Sequence, residues 1–255
     1  MGIHMLTGAN GPFRAEEFHR GLAALVGALP GESVLDLGCG VGRTLPHLVA
    51  AVGPSGRVVG LDANERFLDL ARSAAGQGVN LVRHEAAGAL PFAEATFQRI
   101  VCNNVLECVA EPGPFLADCK RVLAPGGRIL FGHFDFDSVV LASACLELTR
   151  DLVHGYADFK QPWMAAADGQ VGRKLPGLLY GQGFAPMTVG AVLFVERSLS
   201  GGYAQGLMPD LVAVGRENGL DEKSLRDWRA DLERREREDG FFFSIQWMYA
   251  LCGQD

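Results

Sequence analysis

From Ser33 to Phe134 the chain changes its hydrophobic rhythm every few residues, and that alternation is what most limits its fold. Short β-type runs stand at Ser33–Leu37, Arg57–Leu61, Val79–Arg83, Arg99–Asn103 and Arg128–Phe134. Between them Arg43–Ala51, Asn64–Ala75 and Pro114–Leu123 carry apolar residues at helical spacing. Gly53-Pro54-Ser55-Gly56 and Ala124-Pro125-Gly126-Gly127 punctuate the series as turns. Strands and helices that alternate through short loops leave room for parallel strands joined by right-handed crossovers. The expected fold class is therefore α/β, an open doubly wound sheet. A helix over residues 14–28 precedes it, with Phe18, Leu22, Leu25, Val26 and Leu29 at helical spacing and Pro30-Gly31 as its stop.

Past Phe134 the rhythm changes. Residues 135–172 show no clear strand, 172–183 read as a helix and 186–196 as a strand. Residues 197–239 are mostly helical, with Leu225, Trp228 and Leu232 on one face, and 241–252 form a last strand in which Phe241–Phe243 alternate between core and outer positions. No repeat or low-complexity linker divides the 255 residues. One domain over 1–255 is expected, with a core at 30–135 and two insertions at 136–172 and 197–239.

The net charge of −7 provides no basic footprint for nucleic acid or an anionic membrane. No apolar run approaches the roughly 20 residues of a membrane span. Neither partner is expected. The six cysteines, Cys39, Cys102, Cys108, Cys119, Cys145 and Cys252, have neither CxxC nor zinc-site spacing and read as reduced thiols of a cytoplasmic protein. No signal peptide is read at the start, where "GIHM" before Leu6 looks like a cloning scar with Met5 as the native first residue.

The stretch "SVLDLGCGVGRT" (Ser33–Thr44) sets Asp36 inside the first strand and follows it with Gly38, Gly40 and Gly42. A dinucleotide fingerprint GxGxxG would need its third glycine where Arg43 stands, and a phosphate loop of the Gly-Lys-Ser/Thr type needs a lysine that is missing. A phosphate would also be repelled by the carboxylate. The glycines leave backbone without Cβ atoms directly after the acid.

The D-x-G-x-G-x-G pattern resembles that of class I S-adenosylmethionine (SAM)-dependent methyltransferases, and the chain is similar to their ubiquinone/menaquinone C-methyltransferase-like branch over about residues 30–135. "VVGLDANERFLDLAR" (58–72), "HEAAGALPFAEATFQRIVCNNVLECV" (84–109) and "RVLAPGGRILF" (121–131) carry the likeness further. The resemblance implies S-adenosyl-L-methionine as cofactor and assigns roles. Asp36 acts near its ammonium, mainly through water or backbone. Asp62, beside Ala63, accepts both ribose hydroxyls, since a carboxylate takes two parallel bonds. Glu85-Ala86 faces the adenine, Asn103-Asn104 lines the methionine side, and Phe67 packs on adenine or joins the core. The family usually has Asp at Glu85, Asp at Gln98 and often His at Cys108. The resemblance also implies a seven-stranded sheet with the last strand antiparallel, and insertions that cap the site.

In an open α/β sheet, ligands bind beyond the carboxyl ends of the strands. The fifth strand ends in "GHFDFDS" (132–138), which makes His133 the first candidate for a base or substrate anchor. Asp135 or Asp137 would orient it, because strand alternation puts the three on one side. The same pattern offers metal donors, but no further ligand cluster accompanies it, and no metal is expected. His154, Tyr156 and Trp163 in the first insertion are candidate substrate contacts, as is Arg173 for a substrate carboxylate. The expected activity is methyl transfer to a small organic acceptor, such as an intermediate of specialised metabolism; a His133 base would favour oxygen or an acidic carbon. A fold member that binds SAM or S-adenosylhomocysteine yet catalyses cyclisation or decarboxylation is the rival enzyme. A binding module without turnover is a further rival, opposed by the intact Asp36, three glycines and Asp62.

Overall fold

A helix, α1 (Ala15–Val26), leads into β1 (Ser33–Leu37), α2 (Leu45–Val52), β2 (Arg57–Asp62), α3 (Glu65–Ala75), β3 (Val79–Arg83) and β4 (Phe97–Asn103). After a 3-10 turn at Leu106–Cys108 come α4 (Pro112–Val122) and β5 (Leu123–Leu141). The chain continues through α5 (Leu146–Ala157), α6 (Val171–Gly181), β6 (Met187–Glu196), α7 (Gly202–Glu217), α8 (Glu222–Arg237) and β7 (Phe243–Gly253). This computed structural model describes residues 13–76, 78–85, 88–160, 164–185, 187–200 and 202–253.

The seven strands form one sheet in the order β3-β2-β1-β4-β5-β7-β6. The first five are parallel, and β7 runs antiparallel between β5 and β6. The α/β doubly wound class and the antiparallel last strand are thus as the sequence implied. Alternating residues of each strand face opposite layers. Val34, Val58, Val101 and Leu130 join Leu22, Leu45, Leu48 and Leu68 of α1 to α3 in one core. Leu35, Val59, Ile100 and Ile129 join Phe115 and Leu116 of α4 and Leu175 and Leu179 of α6 in the other. Burial on both faces is why these central strands are rich in aliphatic residues. Gln98, at a position where the family usually has Asp, accepts a hydrogen bond from the Ser33 amide at 2.9 Å and so ties β4 to the start of β1.

One element differs from the sequence reading. β5 does not stop at Phe134 but continues through Leu141, where residues 135–172 showed no clear strand. Its pairing with β7 shifts register between Asp135 and Val140. Ser138 bridges the shift: its hydroxyl donates to the Asp135 carbonyl and accepts from the Gln246 amide at 2.9 Å. The helices of the two insertions pack beside this extension. Leu225, Trp228 and Leu232 form the buried face of α8, and the buried Trp228 indole donates to Thr149 Oγ1 of α5 at 2.9 Å. Glu196, at the end of β6, accepts from the amides of Tyr203 and Ala204 at 2.6 and 2.9 Å and caps α7.

Candidate active site

The turn after β1 is pinned to β2, with the amides of Gly38 and Cys39 donating to the Leu61 carbonyl at 2.8 and 2.9 Å. Gly38, Gly40 and Gly42 all have positive φ, at 76°, 52° and 81°. Their surroundings differ. A Cβ on Gly42 would lie 2.8 Å from the backbone of Ala71 in α3, and one on Gly38 would lie 2.2 Å from Val105 Cγ2. Around Gly40 nothing stands within 4 Å. In sequence the three glycines share one role, but the structure divides it: two permit packing, and Gly40 leaves bare backbone open beside the strand ends.

Asp36 lies below this turn, 4% exposed, and its Oδ2 has no hydrogen-bond partner. Burial, and then the charge of Asp62, push its carboxyl up to about 7. Asp62 closes β2 and accepts from the Gly40 amide through Oδ2 at 2.8 Å and from the Asn64 amide through Oδ1 at 2.9 Å. Each oxygen keeps a second acceptor site. Asn64 in turn caps α3 by accepting from the Arg66 amide at 3.0 Å. Ala63 is exposed, and its carbonyl accepts from Arg83 at 3.4 Å. Phe67 on α3 is 43% exposed and so stands outside the core. Glu85 is exposed just beyond β3, while Ala86 lies outside the described residues.

Asn103 and Asn104, at the end of β4, use their side-chain oxygens to stitch the sheet. Asn103 Oδ1 accepts from the Trp247 indole at 2.8 Å, and Asn104 Oδ1 accepts from the Phe134 amide at 3.1 Å. Asn104 adopts a φ of 54°, which turns the chain into the Leu106–Cys108 segment.

His133 is 1% exposed. Its Nδ1 faces the Phe134 carbonyl, and its Nε2 lies 2.9 Å from Glu107 Oε2, off the line of a hydrogen bond. A carbonyl only accepts, so Nδ1 is the donor in that contact. The acid beside His133 is therefore Glu107, not Asp135 or Asp137. Asp135, fully buried, is held at both oxygens by Arg173 at 2.6 and 2.7 Å. Arg173 also reaches Asp137 at 3.2 Å, and His154 pairs with the other oxygen of Asp137. Arg173 and His154 thus clip α6 and α5 to β5, and Arg173 is not a free anchor for a substrate carboxylate. Alternation does place 133 and 135 on one side, as expected, but the partners come from elsewhere in the chain.

Glu107 was not singled out in the sequence, where "VLECV" reads as an apolar run with one polar outlier. The signal was available: an acid in such a run, just past the end of a central strand, must find a partner. It lines a small cavity with Phe136, Tyr156, Phe159, Met164 and Asp168, among others. Burial, and then Asp210 and Glu107, push the Tyr156 phenol up. Trp163, the remaining candidate of this insertion, lies outside the described residues. Cys108 stands between cavity and glycine turn: burial, then Glu107, then Asp62, push its thiol up to about 12. Its carbonyl accepts from the amides of Ala165 and Ala166 at 3.2 and 3.3 Å. Among the described residues, no group of three or more His, Cys, Asp or Glu could hold a metal ion.

Comparison with known proteins matches residues 35–131 to a family described as a methyltransferase domain. A 37.1 kDa protein in transposon TN4556 of Streptomyces fradiae is 37% identical over 172 residues, 67% of this chain and 48% of that protein. The ubiquinone biosynthesis O-methyltransferase of Thiobacillus denitrificans is 33% identical over 165 residues, 60% of this chain and 70% of that enzyme. The chain thus spans about half the length of the first relative and over two thirds of the second. Among solved structures, the YcgJ protein of Bacillus subtilis superposes with a TM-score of 0.58 at 16% identity, over 92% of this chain and 97% of that one, a likeness of fold.

Proposed function

The chain belongs to the class I SAM-dependent methyltransferases, in the branch of the ubiquinone and menaquinone methyltransferases, and from that premise we propose that it methylates a small organic acceptor, such as an intermediate of specialised metabolism. The observation that carries the reading is the buried oxygen of Asp36, unpartnered among the described residues, on the strand that leads into the turn where Gly40 alone of the three glycines has an open side. A buried carboxylate without a partner is costly, and a cationic ligand removes that cost. The residues present fit SAM. Asp36 would meet its ammonium through water, Gly40 would lie against its methionine part, and Asp62 has acceptor capacity left for two ribose hydroxyls. Glu85-Ala86 and Phe67 would frame the adenine, and Asn103-Asn104 would shape the floor beneath the methionine.

SAM supplies a methyl group already activated by its sulfonium. The chain must place a nucleophile in line with that carbon and keep water away. The segments 136–172 and 197–239 serve as the lid, with Tyr156 in the acceptor cavity and Arg173 and His154 holding the lid helices to β5. Asp135 contributes through Arg173. His133 acts on the acceptor through Glu107, which alone of the two lines the cavity. The free cysteines favour a reducing, cytoplasmic setting.

The test is incubation with methyl-deuterated SAM and a pooled small-molecule extract, followed by mass spectrometry. A labelled product is expected, and its fragmentation names the methylated atom. Conversion of a metabolite without label would overturn the reading in favour of cyclisation or decarboxylation. Asp62→Ala should weaken SAM binding by about 1–3 kcal/mol, the range for lost hydrogen bonds to a charged group. Unchanged affinity by calorimetry would remove Asp62 from the site.

A further inference from the structure

The cavity beside Glu107 has a chemical character of its own. Its rim holds the rings of Phe136, Tyr156 and Phe159 and the thioether of Met164, and among the described residues none of its lining side chains is basic. Of its two acids, Asp168 is already neutralised by Lys174 Nζ at 2.7 Å. Glu107 is different. Among the described residues its one ion-pair contact is with His133, at 2.9 Å and without hydrogen-bond alignment. The edge of the Phe136 ring meets the His133 ring at 5.4 Å and the Tyr156 ring at 5.1 Å, so aromatic surface closes around the carboxylate. Asp210 of α7 adds negative potential, since it and Glu107 both act on the Tyr156 phenol.

Aromatic faces and a poorly matched buried carboxylate, with no opposing cation on the walls, attract a positive charge and repel an anionic one. Resting on the methyltransferase reading above, we infer that the acceptor is an amine bound in its ammonium form, with Glu107 as its anchor and the rings of Phe136, Tyr156 and Phe159 around it. The methylated atom is then nitrogen, not the oxygen or carbon that a His133 base acting alone would favour.

The proton balance is consistent. The entering ammonium supplies Glu107 with the counter-charge that the cavity walls do not offer. The bound ammonium then gives a proton to His133 Nε2 by way of Glu107. The freed nitrogen lone pair forms the N–C bond while the C–S bond breaks with its electron pair remaining on sulfur. Positive charge passes from the sulfonium to the methylated ammonium, and His133 releases its proton to water before the next cycle. Glu107 touches the acceptor, and His133 is the positioning and proton-holding group behind it.

The experiment is calorimetric titration of the whole chain, first with S-adenosylhomocysteine and then, once saturated, with 2-phenylethylamine, 2-phenylethanol and phenylacetate. The amine should bind at least tenfold tighter than the alcohol, about 1.4 kcal/mol, and the carboxylate weakest. In Glu107→Gln that preference should fall about tenfold while S-adenosylhomocysteine affinity stays unchanged, which shows that the variant is folded. Phe136→Leu should reduce amine affinity more than alcohol affinity. Equal or tighter binding of alcohol or carboxylate, a preference unaltered in Glu107→Gln, or no amine binding by protein that binds S-adenosylhomocysteine would each overturn the inference. Failure of S-adenosylhomocysteine itself to bind would instead count against the methyltransferase reading on which the inference rests.

Discussion

Folding takes the Asp36 carboxyl from its ordinary value of 3.8 to about 7, through burial first and the charge of Asp62 second. The folded chain thus keeps a proton that the unfolded chain releases between those values, so this residue makes stability fall as pH rises from about 4 to 7. Asp36→Asn should abolish that slope. At pH 8 the ligand-free variant should unfold at higher urea than the parent, by about 2–4 kcal/mol, and the two should converge near pH 4. SAM affinity should drop in the same variant. A variant no more stable at pH 8 would show that Asp36 has a partner in the free protein. The glycines separate by the same logic. Gly42→Ala meets Ala71 and a positive φ together and should cost about 2–3 kcal/mol of stability. Gly40→Ala should cost about 1 kcal/mol yet weaken SAM binding more than Gly42→Ala does, as paired melting and binding curves would reveal.

Elements were legible in the sequence where turn signals lie close on either side of an aliphatic-rich run. The runs at 33–37 and 79–83 match β1 and β3 to the residue, because short runs rich in Val and Leu bounded by glycine or polar turns have few other solutions. The extension of β5 was not legible for an electrostatic reason. "HFDFDSVVL" alternates with strand period, but acids at 135 and 137 signal a solvated end unless a cation from far along the chain covers them. Arg173 does so, and no local pattern announces it. The site divides along the same line: Asp36, Asp62 and the glycines could be read because their spacing is local, whereas Glu107 meets His133 only across two strands. Arg173→Met should leave Asp135 buried and unpaired. Because Arg173 is half in water, the loss should lie near about 2–3 kcal/mol, below the full range for a buried pair. Adding Asp135→Asn should restore part of it in a double-mutant cycle; purely additive losses would deny the coupling.

Across the whole molecule, the cofactor edge and the first insertion meet at one carbonyl. Cys108 follows the end of β4 and accepts from both Ala165 and Ala166. Ligand binding that orders the Asn104–Cys108 turn should therefore slow hydrogen exchange at Ala165 and Ala166, together with the glycine turn, and leave α8 unaffected. Exchange at 165 and 166 unchanged by S-adenosylhomocysteine would mean that the insertion responds to acceptor alone. The aromatic cluster of Phe18, Phe134, Phe194 and Trp247 joins α1, β5, β6 and β7 on one face. Frame and insertions thus share a core.

That shared core decides how this scaffold can be recombined. Because β5 runs unbroken from beside the cofactor frame to Leu141, where it still pairs with Phe243, a chimera joined at Phe134 would cut through a paired strand and separate Asp135 from the register that presents it to Arg173. A crossover placed after Leu141, exchanging the following helices with a matching β7, would keep that beam together with Glu107 and Phe136 and renew only the wall that Tyr156, Phe159 and Met164 contribute.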